Sequence, residues 1–192
     1  MNLKKVANPL GTAVVGEMIK IFLDIENTII DSLFDMNFME ENCKKLRLFC
    51  LGRKDLLTVN FFTWGWQDKS EIDQAVVNKL FEKLGIDEAH QGIILTKEDS
   101  VDLMIKQGFL NEEDREAALQ PGAMMNEFGL TKMECFIRMA DKFIPGTVAI
   151  LIDDLVEKQE IINNNDCVTT ILLNPKELTD GTKTQTNLCG ST

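Results

Sequence analysis

Three short apolar runs, each ending in a group able to do chemistry, constrain this chain more than any other feature. Met18-Ile19-Lys20-Ile21-Phe22-Leu23 runs into Asp24, Leu56-Leu57-Thr58-Val59-Asn60-Phe61-Phe62 into Thr63, and Thr147-Val148-Ala149-Ile150-Leu151-Ile152 into Asp153-Asp154. Runs of this length and composition read as buried strands. Between them the apolar spacing is helical. Ile29, Ile30, Leu33, Phe34, Met36 and Met39 predict a helix, with Asp31, Asp35, Glu40 and Glu41 on its other side. Cys43 to Leu51 predicts a second helical piece ended by Gly52. A helix is expected from Ser70 to Leu84, where Ser70-Glu71-Ile72-Asp73 resembles a capping box and Gly85 a stop.

The rest of the chain continues the alternation. Ile93-Ile94-Leu95-Thr96 reads as a short strand, and 97–128 as short helices broken at Gly108, Asn111 and Pro121-Gly122. Thr131 to Phe143 is amphipathic and stops at Pro145-Gly146, Val156 to Ile162 reads as helix, and Cys167 to Leu173 as the last strand. Strands alternating with helices predict an α/β fold, a parallel sheet with helices on both faces. Ligands of such sheets sit outside the carboxyl ends of the strands, so Asp24, Thr63, Asp153 and Asp154 are expected to face one crevice.

With 192 residues the chain fits one domain. We read 1–17 as an N-terminal leader or edge element and 18–178 as the α/β domain, with 97–129 a small helical insertion. The polar stretch 179–192 reads as a disordered tail. The formal charge of −11 disfavours phosphate backbones and anionic membranes as bulk ligands. Five scattered cysteines, Cys43, Cys50, Cys135, Cys167 and Cys189, contain no CxxC pair, which fits a reducing compartment. No stretch reaches the length of a signal peptide core or a membrane span, so a soluble, cytoplasmic protein is expected.

An aspartate at a strand tip can attack a phosphoryl group and form an aspartyl-phosphate. A hard cation is needed to relieve the repulsion between two anions, and Mg²⁺ commonly takes one or two protein carboxylates. Asp24 with Asp153 or Asp154 would supply them. Glu26, two residues on, would share the face of Asp24 in extended chain and could move the proton. Thr63 offers a hydroxyl and Lys132 an ammonium to phosphate oxygens.

These residues carry a resemblance. Asp24-Ile25-Glu26-Asn27-Thr28 resembles the first motif of the haloacid-dehalogenase-like (HAD) family, an Asp-x-Asp-x-Thr loop after a strand. Phe61-Phe62-Thr63 resembles its second motif, Lys132 its third, and Ile150-Leu151-Ile152-Asp153-Asp154 its fourth, in the family's order across residues 18–173. The resemblance implies a HAD-like Rossmannoid sheet with at most a small helical cap. It also implies an Mg²⁺-dependent phosphohydrolase acting on a small phosphorylated molecule, such as a nucleotide or sugar phosphate. In it, Asp24 is nucleophile and metal ligand, Glu26 acid/base with its carbonyl on the metal, and Asp153 or Asp154 the second acidic ligand.

The chain departs from the family at Glu26, where the phosphatases carry aspartate; a displacement of about an ångström can cost on the order of 10²-fold in rate. This motivates an alternative, a weak or inactive HAD-like protein acting through a protein partner. Phe22-Leu23-Asp24-Ile25-Glu26-Asn27 also resembles the first acidic strand of NYN/PIN-type nucleases, a further alternative that the acidic charge disfavours. Lys97 rivals Lys132, which is preferred because its helix leads into the Asp153 strand. A protein partner or a second copy of the chain in a homodimer is the expected partnership of that weak or inactive form. The lone histidine, His90, reads as a surface residue, while Trp64 and Trp66 read either as core or as an aromatic wall beside the substrate.

Overall fold

The computed structural model describes residues 18–52, 56–164 and 168–178. The leader 1–17, the tail 179–192, and Cys167 and Cys189 lie outside the described residues. Six strands, β1 (Met18–Leu23), β2 (Leu56–Phe62), β3 (Gln91–Leu95), β4 (Thr147–Ile152), β5 (Glu160–Asn164) and β6 (Val168–Leu173), form one sheet in the order β3-β2-β1-β4-β6-β5. Every pairing is parallel except β5 with β6. The fold is therefore α/β with a mostly parallel, Rossmann-like sheet.

Side-chain alternation along the strands divides the core in two. Ile21 and Leu23 of β1, Phe61 of β2, and Ile150 and Ile152 of β4 point to one face. There they meet α1 (Glu40–Leu51) through Cys43 and Leu46, and α2 (Gln74–Leu84) through Val77, Leu80 and Phe81. Phe22, Phe62, Ala149 and Leu151 point to the other face. They pack against α3 (Lys97–Lys106) through Val101 and Met104, and against α6 (Lys132–Ala140) through Cys135, Phe136 and Ala140. Phe22 meets Phe136 edge-on at 5.0 Å and stacks on Phe143 at 5.6 Å between ring centres.

Two predicted helices are not helices. Residues 25–39 form a folded-back loop with a bridge between Ile30 and Phe38. Asn27 and Met36 adopt left-handed φ of 56°, incompatible with a continuous helix. Asp31 captures the backbone N–H groups of Ser32 and Asn37 and the Asn37 amide, replacing helical hydrogen bonds with side-chain ones. Ile29 and Ile30 are buried beneath this loop, while Phe34 at its far side is 94% exposed. The second correction is the helix expected over 156–162. Glu160–Asn164 is instead the antiparallel edge strand β5, and Asn164 anchors it by donating to Ile137 O and Thr170 Oγ1. A β-branched pair, Ile161-Ile162, next to a close returning strand favours a hairpin over one turn of helix.

Smaller shifts follow local capping. The helix expected from Ser70 starts at Gln74, because Asp73 caps it by accepting from Ala75 N; Asp68 caps a separate 3-10 turn at 69–71. Thr131 and Glu134 form the reciprocal capping box that starts α6 at Lys132, and that helix ends at Ala140 rather than Phe143. The 97–129 region supplies α3, then α4 (Arg115–Leu119) and α5 (Ala123–Asn126).

Asn60 knits the first three strands together across an irregularity in β2–β3 pairing. Its amide donates to Ile21 O and Thr58 Oγ1 at 3.0 Å, and its Oδ1 accepts from Ile93 N. Gly92 leaves the room: a Cβ there would lie 2.0 Å from Asn60 Oδ1. Asn60→Leu strips a partner from the buried Ile21 carbonyl on β1 and from the part-buried Ile93 amide on β3. We expect it to cost about 2–4 kcal/mol in urea unfolding, at roughly 1–3 kcal/mol per orphaned group. A loss under about 1 kcal/mol would contradict this role.

Candidate functional site

The tips of β1 and β4 are in register, Leu23 opposite Ile152, so the residues that follow stand side by side. Asp24 N donates to Ile152 O at 2.9 Å and Asp153 N to Leu173 O at 3.0 Å, which continues the ladder across three strands past their ends. One step beyond Leu23 and Ile152, alternation turns Asp24 and Asp153 to the face covered by α6. Lys132, the first residue of α6, comes down on them. Its Nζ lies 2.5 Å from Asp24 Oδ1 and 2.8 Å from Asp153 Oδ2, with side-chain exposures of 5%, 9% and 0% for Lys132, Asp24 and Asp153. It also lies 5.5 Å from the centre of the Phe62 ring.

Asp154 completes the group. Ligand oxygens of Asp24, Asp153 and Asp154 lie within 4.8 Å of one another. The loop that presents the pair is fixed: Asp153 Oδ1 accepts from Leu155 N, and Asn174 donates to Asp154 O and Val156 O at 3.0 and 2.7 Å. Sequence patterning does not single out Asn174, although an Asn-Pro pair directly after an apolar strand marks a residue free to tie a loop.

With all three ionised, these carboxylates outnumber the one ammonium by two negative charges, with Asp24 and Asp153 buried and Asp154 half-buried. Burial pushes the Asp24 carboxyl up to about 7; the Lys132 ammonium opposes this and the Asp153 carboxylate adds to it. Burial and Asp153 likewise raise Asp154. For Lys132 burial works against the charge, but Asp24 and Asp153 outweigh it and the ammonium is held above its usual range. An all-oxygen donor set short of two positive charges suits a hard divalent cation. Asp24, Asp153 and Asp154 are the residues that would hold it.

The remaining candidates make contacts of their own. The Glu26 carboxylate lies outside the cluster, its Oε1 accepting from Leu33 N at 3.1 Å. Its Oε2 faces Gly65 in the loop after β2 instead. Thr63 is buried at the tip of β2, beside β1, and its Oγ1 accepts from Gly65 N at 3.0 Å, turning its own exit loop. Lys97 is committed elsewhere: its Nζ donates to Leu119 O at 2.8 Å and to Gln120 O, which pins the end of α4. Trp66 is buried in the core, and the Trp64 indole donates to Ser100 Oγ at 2.9 Å. His90 pairs with Asp87 at the surface.

A proton and a cation should compete for Asp24. Its carboxyl is raised only in the folded chain, so its contribution to stability is full below the ordinary 3.8 and is lost as pH rises through about 7. Without divalent ions, the thermal midpoint is expected to fall between about pH 4 and pH 7, less steeply in Asp24→Asn. Millimolar Mg²⁺ should flatten the wild-type profile by displacing the proton. An equal slope in both proteins would refute the assignment. Comparisons with family models, with curated proteins and with solved structures return no match, so the chemistry of this cluster rests on its own geometry.

Proposed function

We propose that the chain is a HAD-type, Mg²⁺-dependent phosphohydrolase of small phosphate monoesters, working through an aspartyl-phosphate on Asp24. The observation that carries this reading is the buried bridge from Lys132 to Asp24 and Asp153. It joins three of the four motif positions, from parts of the chain 108 residues apart, at the tips of adjacent central strands. A buried ammonium holding one carboxylate oxygen leaves the second oxygen of Asp24 to act as nucleophile.

Asp24 attacks the phosphorus, the ester P–O bond breaks, and the departing oxygen takes a proton from Glu26. Water then attacks the aspartyl-phosphate and gives a proton back to Glu26, releasing inorganic phosphate and restoring Asp24. Lys132 holds the nucleophile and offsets charge on the phosphoryl oxygens. The cation, held by Asp24 and the Asp153-Asp154 pair, would neutralise the phosphate and let an anion approach an anion.

One observation favours a second reading, a protein that binds the cation without turnover: the Glu26 carboxylate is engaged by the Leu33 N–H and lies outside the cluster. Nothing comparable favours the nuclease alternative, since no second group of metal-ligating side chains forms among the described residues.

A phosphoester panel with and without Mg²⁺ separates these readings. Asp24→Asn is expected to abolish turnover, Lys132→Met to lower it at least about 100-fold, and Glu26→Asp to retain or raise it. Lys97→Met should leave kcat of the folded protein intact while lowering its thermal midpoint. Turnover in Asp24→Asn equal to wild type would end the nucleophile assignment. Mg²⁺ binding with no turnover on any ester would select the second reading.

A further inference from the structure

Glu26 is one methylene longer than the aspartate its motif calls for, and the structure holds a matching space opposite it. Gly65, in the loop after β2, has no side chain; a Cβ there would stand 2.5 Å from Glu26 Oε2 and 2.7 Å from Leu33 Cδ1. No real Cβ tolerates contacts that short, so the space is filled by the Glu26 carboxylate. Its other oxygen, Oε1, accepts from Leu33 N at 3.1 Å. Gly65 is in turn placed by the strand tip beside β1, since its N–H donates to Thr63 Oγ1 at 3.0 Å. Thr63, Gly65, Glu26 and Leu33 thus form one chain of contacts that joins the exit loops of β1 and β2.

We propose that Gly65 is a positioning residue for Glu26. Its bare Cα lets the longer carboxylate lodge between the two loops, where the Leu33 N–H fixes its direction. The geometry accounts for glutamate rather than aspartate at this position. An aspartate carboxyl would fall about 1.5 Å short of Leu33 N, one C–C bond length, beyond hydrogen-bond reach. The 31–38 segment, braced at its base by Asp31 and Asn37, is thereby held against the β2 exit loop through Glu26. That this placement serves proton transfer rests on the phosphohydrolase reading; the placement itself does not.

Both groups that a Cβ at residue 65 would meet are the far ends of side chains that can turn about several bonds. Gly65→Ala should therefore displace the Glu26 carboxylate without unfolding the chain. The test is a double-mutant cycle on the full-length protein, wild type, Gly65→Ala, Glu26→Asp and the pair, read by hydrogen exchange at the Leu33 amide. Gly65→Ala should speed that exchange about tenfold, the loss of one hydrogen bond. Glu26→Asp should do the same, and the second change should add nothing to the first. Amides of α2 serve as the fold control. With p-nitrophenyl phosphate and Mg²⁺, Gly65→Ala should lower kcat at unchanged KM when Glu26 is intact, and should not do so in a chain already carrying Glu26→Asp. Acceleration of exchange by Gly65→Ala of the same size in both backgrounds would assign the effect to Leu33 and overturn the proposal, as would no acceleration in either. Absence of turnover in all four proteins would end the phosphohydrolase reading while leaving the exchange cycle to decide the placement.

Discussion

One buried ammonium organises this molecule. Lys132 sits between Asp24 and Asp153 at the tips of the two central strands, and each of the three would be costly to bury alone. Their mutual attraction makes the arrangement tolerable, and it links β1, β4 and α6 at one point. It does not balance the charge. Asp154 adds a third carboxylate, and burial, with Asp153 adding to it, pushes Asp24 up despite the Lys132 ammonium. A divalent cation held by the three carboxylates would supply positive charge there, and under the proposed function the same cluster would be both a structural joint and a reactive centre.

The geometry follows from two periodicities. Period two along β1 and β4 sends Leu23 and Ile152 to one face of the sheet and Asp24 and Asp153 to the other. On α6, Cys135, Phe136 and Ala140 face the sheet one and two turns on from Lys132, so the same face carries the ammonium to the strand tips. The capping box of Thr131 and Glu134 sets where that helix begins. A shift of one residue at Thr131 would carry Lys132 about 100° around the helix, away from both carboxylates.

Much of this was legible in the residues themselves. β1 and β4 occupy their apolar runs end to end, because a strand buried on both faces needs no alternation and stops where a charge stops burial. Chain order favours Lys132 over Lys97, and it is Lys132 that stands beside Asp24 and Asp153 while Lys97 donates to backbone carbonyls. What could not be read was settled by side chains bonding to backbone. Asp31 bonding to Ser32 N and Asn37 N replaces a helix in 25–39, and Asn164 donating to Ile137 O anchors 160–164 in the sheet. Glu26 does not join Asp24 on a shared face; its partner is the Leu33 N–H, a contact seven residues away that residue spacing does not announce.

Crystals soaked in millimolar Mn²⁺, with anomalous data collected at the manganese edge, measure the central claim directly. We expect a single strong peak between the carboxylates of Asp24, Asp153 and Asp154, within about 2.0–2.6 Å of oxygen atoms from at least two of them. No peak at that position, or a peak only elsewhere on the surface, would contradict the shared cation and with it the chemistry built on Asp24.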